Sequence, residues 1–248
     1  RISPKRAAPP GIFVAPGAIG LGLGIFLGKG GVTTMAWPFG LVLALSLIVT
    51  YFLPDPDHPY DLRKVEDHGT KASAVKWPLL AVGLLLFSIV IRSFVGFAGS
   101  HDCPRSTTLL VALTLAAFFG KGLGGIVSDK LGWVETSVLA LVLSAPFIAF
   151  GGSTVAVVVA GMLMFQMTMP VTLTAVALVY PNRPGLAFGL NCLFLIAGAI
   201  PTFYPPVRAH FSSELFLGMI LLSATMVWLG LRLMGDLIPI KGFLTRNR

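Results

Sequence analysis

The run TSVLALVLSAPFIAFGGSTVAVVVAGMLMFQMTMPVTLTAVALVY, from Thr136 to Tyr180, contains no Asp, Glu, Lys, Arg or His. A helix that crosses the hydrocarbon core of a bilayer needs about 20 apolar residues. The run therefore holds two spans, broken at Gly151-Gly152-Ser153. Outward from it the pattern repeats, with charges confined to short segments between long apolar runs. The whole chain of 248 residues is 55% hydrophobic and only 11% charged, with a mean hydropathy of +0.87. A soluble domain carries roughly 25% charged residues, so this composition predicts an all-α, polytopic bundle embedded in a lipid bilayer.

Eight spans are predicted: Gly11–Gly28, Val32–Leu53, Trp77–Gly99, Ser106–Val127, Val134–Gly151, Thr154–Tyr180, Gly185–Tyr204 and Ser213–Met234. Pro16, Pro38, Pro146, Pro170 and Pro201 fall within them and are expected to mark kinks, since each removes a backbone donor. The formal charge of +8 does not point to nucleic acid, because Lys and Arg sit between the apolar runs and form no basic stripe. Counted over alternate loops, fourteen of the eighteen Lys and Arg residues fall on one side and three on the other, with Arg92 inside a span. The positive-inside rule then places both ends in the cytoplasm and suits an even number of spans. A plasma (inner) membrane location is expected.

The one long hydrophilic stretch, Pro54–Lys76, divides the chain into two spans and then six. Residues 1–53 are read as the last two helices of an incomplete first bundle, 54–76 as a cytoplasmic linker, 77–234 as a six-helix bundle and 235–248 as a cytoplasmic tail. A faint repeat at an offset of 177 residues pairs Pro4-Lys5-Arg6 with Pro181-Asn182-Arg183, and Phe39, Leu45, Ser46 and Tyr51 with Phe216, Leu222, Ser223 and Trp228. Parallel repeats of this kind mark one transporter architecture.

The most informative short motif is Gly125-Ile-Val-Ser-Asp129-Lys130-Leu-Gly132, between the fourth and fifth spans. Gly125 lets neighbouring helices approach and Gly132 permits a tight turn. Asp129 can accept from a helix N-terminus or pair with a basic partner, so it can latch two helices in one conformation and release them in another. The motif resembles the cytoplasmic loop signature of the major facilitator superfamily, Gly-x-x-x-Asp-(Arg/Lys)-x-Gly. That resemblance implies twelve helices in two halves joined by a long loop, with the present eight corresponding to the fifth through twelfth. Gly11-Ile-Phe-Val-Ala-Pro16-Gly17-Ala-Ile-Gly20 resembles the glycine–proline motif of the fifth helix in the antiporters of that superfamily, with Ala15 where the motif prefers Gly. Arg92-Ser-Phe-Val-Gly-Phe97 resembles the start of the second half of fosmidomycin-resistance-type exporters. The resemblance implies secondary active transport by alternating access, as efflux of a small organic solute coupled to ion flow. Four missing N-terminal helices would then be partners of this chain, and the chain alone is expected not to transport.

Small residues recur at four-residue spacing at Gly20, Gly24, Gly28, at Gly120, Gly124, Ser128 and at Gly185, Gly189. With Pro16 and Gly17, these are candidates for close helix packing or for hinging. Polar residues within spans are few. Arg92 lies in the outer part of its span and either snorkels to the interface or lines a water-filled cavity. Lys121, Gln166 and Asn191 complete the candidates for a substrate path. Two intramembrane cations favour an anionic or zwitterionic substrate. No Asp or Glu lies deep in a span, and all four histidines fall in loops, so no metal site, cofactor or catalytic cluster is expected. The alternatives to a transporter are a membrane scaffold that retains the fold and, further off, a membrane-embedded lipid-modifying enzyme.

Overall fold

The computed structural model describes residues 6–29, 36–52, 77–98, 106–152, 154–180, 183–204, 212–235 and 238. The described residues form an all-α, polytopic helix bundle. In chain order the helices are α1 (Ala8–Lys29), α2 (Ala36–Phe52), α3 (Pro78–Ala98), α4 (Thr107–Leu131), α5 (Trp133–Phe150), α6 (Val155–Gln166), α7 (Met169–Val179), α8 (Pro184–Ala199) and α9 (Ser213–Leu233). A 3-10 turn, Ile200–Phe203, extends α8. Among the described residues seven spans are long and apolar enough to cross a membrane, α6 and α7 together making one and α8 with its 3-10 turn another. The chain is an integral membrane protein.

Two predicted spans have a different form from the one expected. The second is a 17-residue helix, α2, shorter than the other spans, and every side chain described on it is exposed. The sixth breaks between Gln166 and Met169, where Pro170 enters the first turn of α7. Pro201 likewise coincides with the change from α-helix to 3-10 helix. Pro16 and Pro146, by contrast, lie within unbroken helices. The linker read at 54–76 lies outside the described residues.

Helix ends follow local chemistry. The Ser106 hydroxyl accepts from the Leu109 amide at 3.1 Å, and Ser212 accepts from Leu215 at 3.4 Å, each satisfying one orphan donor of its helix. Between α4 and α5 a single residue, Gly132, turns the chain at φ 110°, a conformation that disfavours any side chain.

The interior is built from α3, α5, α7 and α9, where Leu85, Ile89, Leu141, Val176, Ile220 and Val227 are fully or almost fully buried. Outward, Leu139, Leu143, Phe150, Leu193 and Ile196 are exposed, as lipid-facing residues must be. Lipid tails are as apolar as leucine, so close packing and interhelical hydrogen bonds hold such a bundle together more than hydrophobic transfer does. Small residues show where this happens. At Gly198 a Cβ would collide with the Val90 carbonyl of α3, and at Gly161 it would stand 2.8 Å from the Phe147 Cβ of α5.

One polar pair crosses the core. Ser88 on α3 and Ser223 on α9, both fully buried, hydrogen-bond through their hydroxyls at 2.7 Å. Hydrogen bonds between membrane helices contribute about 0.5–1.5 kcal/mol. A double-mutant cycle of Ser88→Ala and Ser223→Ala, read by reversible unfolding in detergent micelles, is expected to give a coupling in that range. Strict additivity of the two substitutions would show the bond to be energetically silent.

Candidate functional site

Helix α1 runs antiparallel along α4. The register is visible in three contacts: Ala7 and Ala8 against Gly125, Gly11 against Lys121, and Gly22 against Thr114. At one end of this seam the Asp129 carboxylate takes the amide of Ala7 at 2.7 Å on Oδ1 and that of Ala8 at 3.0 Å on Oδ2. The indole Nε1 of buried Trp133 donates to Oδ1 at 3.1 Å.

Why these two amides are available follows from the sequence of the helix start. A helix leaves its first four N–H groups without intrahelical partners. Here they belong to Ala7, Ala8, Pro9 and Pro10, since the Gly11 amide makes the first backbone bond, to the Ala7 carbonyl at 3.0 Å. Proline has no N–H. Two donors therefore remain, and one carboxylate binds both. The charge also opposes the positive end of the helix dipole.

The rest of the motif surrounds this contact. At Gly125 a Cβ would stand 2.5 Å from the Ala7 carbonyl oxygen and 2.8 Å from the Ala8 Cα, so only glycine lets α1 reach the carboxylate. Gly132 makes the turn, with its amide bound to the Ser128 carbonyl at 3.0 Å. Lys130 is exposed in the last turn of α4, where a cation complements the helix dipole. Of the two partners open to Asp129 in the sequence, the described residues contain the helix N-terminus.

The close approaches of α1 to α4 lie on a different face from the one that carries Gly20 and Gly24. Gly17, Gly20, Gly24 and Gly28 have no described atom within 4 Å of an added Cβ, nor do Gly185 and Gly189, and Pro16 is exposed. The face of α1 that meets α4 carries Ala7, Gly11, Ala15, Ala18 and Gly22, all buried. The close-packing role expected of Gly20 and Gly24 thus falls to Gly11 and Gly22. On α4, Gly120 and Gly124 do meet backbone, at Leu163 and Met167 beside the α6–α7 break.

The polar candidates lie at several places around that break. Arg92 is 7% exposed and lies inside the bundle, so it does not snorkel outward. Its Nη1 donates to the Thr168 hydroxyl and its Nη2 to the Thr172 hydroxyl, at 3.0 Å for the second. Pro170 lies on the opposite side of the same turn, against Gly11. The carbonyl of Lys121 stands 2.7 Å from a Cβ on that glycine, and its side chain is half-buried. The first turn of α7 is therefore gripped by α3 on one side and by the α1–α4 seam on the other. Gln166 ends α6, its side-chain amide donating to the Met162 sulfur at 3.7 Å. Asn191 is buried in α8, donating to the Ala187 carbonyl at 2.7 Å, and its Oδ1 has no partner among the described residues.

Three participants escaped the reading of the sequence. Trp133 stands four residues after Asp129, at the first position of α5 just beyond the Gly132 turn. Thr168 and Thr172 have the same spacing, and the neighbouring proline marks the break that frees them. Among the described residues no group of His, Cys, Asp and Glu is placed to hold a metal ion. No protein family, no curated protein and no solved structure matches the chain.

Proposed function

We propose that the chain is part of a secondary active transporter of the major-facilitator type, working by alternating access. The observation that carries this reading is the Asp129 carboxylate bound to the start of α1, across 121 or 122 residues of sequence. It joins a helix before the 54–76 stretch to one after it, through directional contacts at one end of the seam that the two helices share. A packed core cannot be opened and closed cheaply, because its contacts are many and cooperative. A carboxylate on two amides is different: water can replace every one of its partners. Such a contact suits the closed gate of a rocking pair of bundles. The loops rich in Lys and Arg lie on the cytoplasmic side in this reading, and efflux of a small organic solute coupled to ion flow is the activity it favours.

The test is flux. Proteoliposomes of the longer protein of which this chain is proposed to be part, loaded with labelled small organic solutes, are expected to show release driven by an imposed proton or sodium gradient. Asp129→Ala is expected to cut that rate about tenfold or more, because the closed state of the gate loses roughly 2 kcal/mol. Folded protein that gives no gradient-dependent flux of any solute would instead support a scaffold that keeps the fold.

A further inference from the structure

Among the described residues no counter-charge meets Arg92. Its two acceptors, the hydroxyls of Thr168 and Thr172, are neutral, and each already donates its own proton to backbone: Thr168 to the Phe165 carbonyl at 3.1 Å, Thr172 to the carbonyls of Thr168 at 3.2 Å and Met169 at 3.0 Å. The Nε of Arg92 is buried and has no acceptor among the described residues. The described carboxylates are Asp129, engaged with α1, and Glu135 and Glu214, in the first turns of α5 and α9. An ion inside the bilayer is expensive unless paired, and hydroxyls replace only part of its hydration.

We propose that Arg92, with Thr168 and Thr172 at the α6–α7 break, is a binding subsite for the carboxylate group of a monoanionic organic solute. The charge count favours one negative charge, since a dianion would leave the site as unbalanced as it is now. A carboxylate oxygen supplies the acceptor that Nε lacks, and Arg binds carboxylates with fork geometry. The N-terminus of α7, an 11-residue helix, adds a favourable dipole beside the guanidinium. Next to it the Phe165 ring stands 3.9 Å from a Cβ on Gly96, and Ile89 and Val95 are buried, so the surroundings are apolar. As a substrate subsite this rests on the transport reading; as a binding site it does not.

Labelled benzoate is the probe, measured by equilibrium binding to the full chain in phosphatidylcholine nanodiscs. Saturable binding is expected, displaced by unlabelled benzoate and not by the uncharged isostere benzamide. Arg92→Gln is expected to weaken it about tenfold or more, as loss of a charged hydrogen-bond partner does. Arg92→Lys, which keeps the charge, should retain a measurable part, and Thr172→Val should cost a few-fold. Gel filtration and helical circular dichroism identify folded variants, and the lysine variant serves if the glutamine variant does not fold. Absence of saturable binding, equal displacement by benzamide, or unchanged affinity in both arginine variants would overturn the proposal. Phosphatidylglycerol in the nanodisc distinguishes the source: if it displaces benzoate, a lipid phosphodiester is the occupant and the solute site is wrong. Benzoate binding without flux in proteoliposomes of the longer protein would retain the site and sink the transport reading; flux there indifferent to Arg92 would do the reverse.

Discussion

Asp129→Ala is expected to free the start of α1 from α4 while leaving the helix itself intact. Three hydrogen bonds to one carboxylate disappear, two from backbone amides and one from an indole. A lost N-cap costs about 1 kcal/mol, and hydrogen bonds to a charged group contribute about 1.5–3 kcal/mol. An effect of about 2–3 kcal/mol on the docked end follows, equivalent to a roughly 30- to 150-fold change in its opening equilibrium. Amide hydrogen exchange reads this directly: protection of Ala7, Ala8 and Gly11 should fall by about that factor, while the middle of α4 stays protected. Asp129→Asn keeps an oxygen acceptor and loses the charge, so it should fall between alanine and the native residue. Protection within about twofold of native in the alanine variant would show that packing alone holds the end.

The two prolines at the start of α1 tune this contact. Without them the helix would present four unsatisfied amides, and undocking would leave all of them to water. Pro9 and Pro10 remove two, and both also have the φ that an opening helical turn requires. The helix start is consequently stable whether or not the carboxylate is present. A gate needs that property, because the moving end must survive the state in which its partner has left.

Span positions were legible because insertion into a bilayer depends on composition over about 20 residues, and the charge clusters delimit each window. Six of the eight segments have helical extents within about four residues of those expected, the second being shorter and the sixth broken. The break in the sixth span was not legible in the same way: Pro170 alone is compatible with a kink, and the Thr168 and Thr172 hydroxyls that take up the freed carbonyls and the Arg92 donors came into view only through folding. The glycine faces were ambiguous for a deeper reason. Helix α1 carries small residues on two faces, Gly20 and Gly24 on one, Gly11 and Gly22 on the other. In water the more polar face would turn outward, but in lipid both faces see equally apolar surroundings, so spacing does not select between them. What selects is the partner. Gly22 meets the Thr114 side chain and Gly11 meets the Lys121 carbonyl, contacts that exist only once α4 is in place.

That distinction gives the second large effect, a pair of substitutions on α4 three residues apart. Gly125→Leu is expected to separate α1 from α4, because its first carbon would already stand 2.5 Å from the Ala7 carbonyl oxygen and 2.8 Å from the Ala8 Cα. Both neighbours are backbone, in a helix turn fixed by Pro9 and Pro10, and cannot yield by changing a rotamer. Overpacking of this kind costs about 3 kcal/mol, and here the displacement also draws the Ala7 and Ala8 amides away from Asp129. Gly122→Leu, on the same helix with the same gain in helix propensity, has no described atom within 4 Å of its Cβ and should be neutral or slightly stabilising. Spin labels at Ile12 and Leu123, both exposed, report the outcome as a distance distribution. Gly125→Leu should broaden and lengthen it, and Gly122→Leu should leave it unchanged. Equal effects from the two substitutions would mean that bulk anywhere on α4, rather than the approach of α1 at Gly125, governs the seam. A native distribution in both would place the α1–α4 contact outside the forces that hold the bundle together.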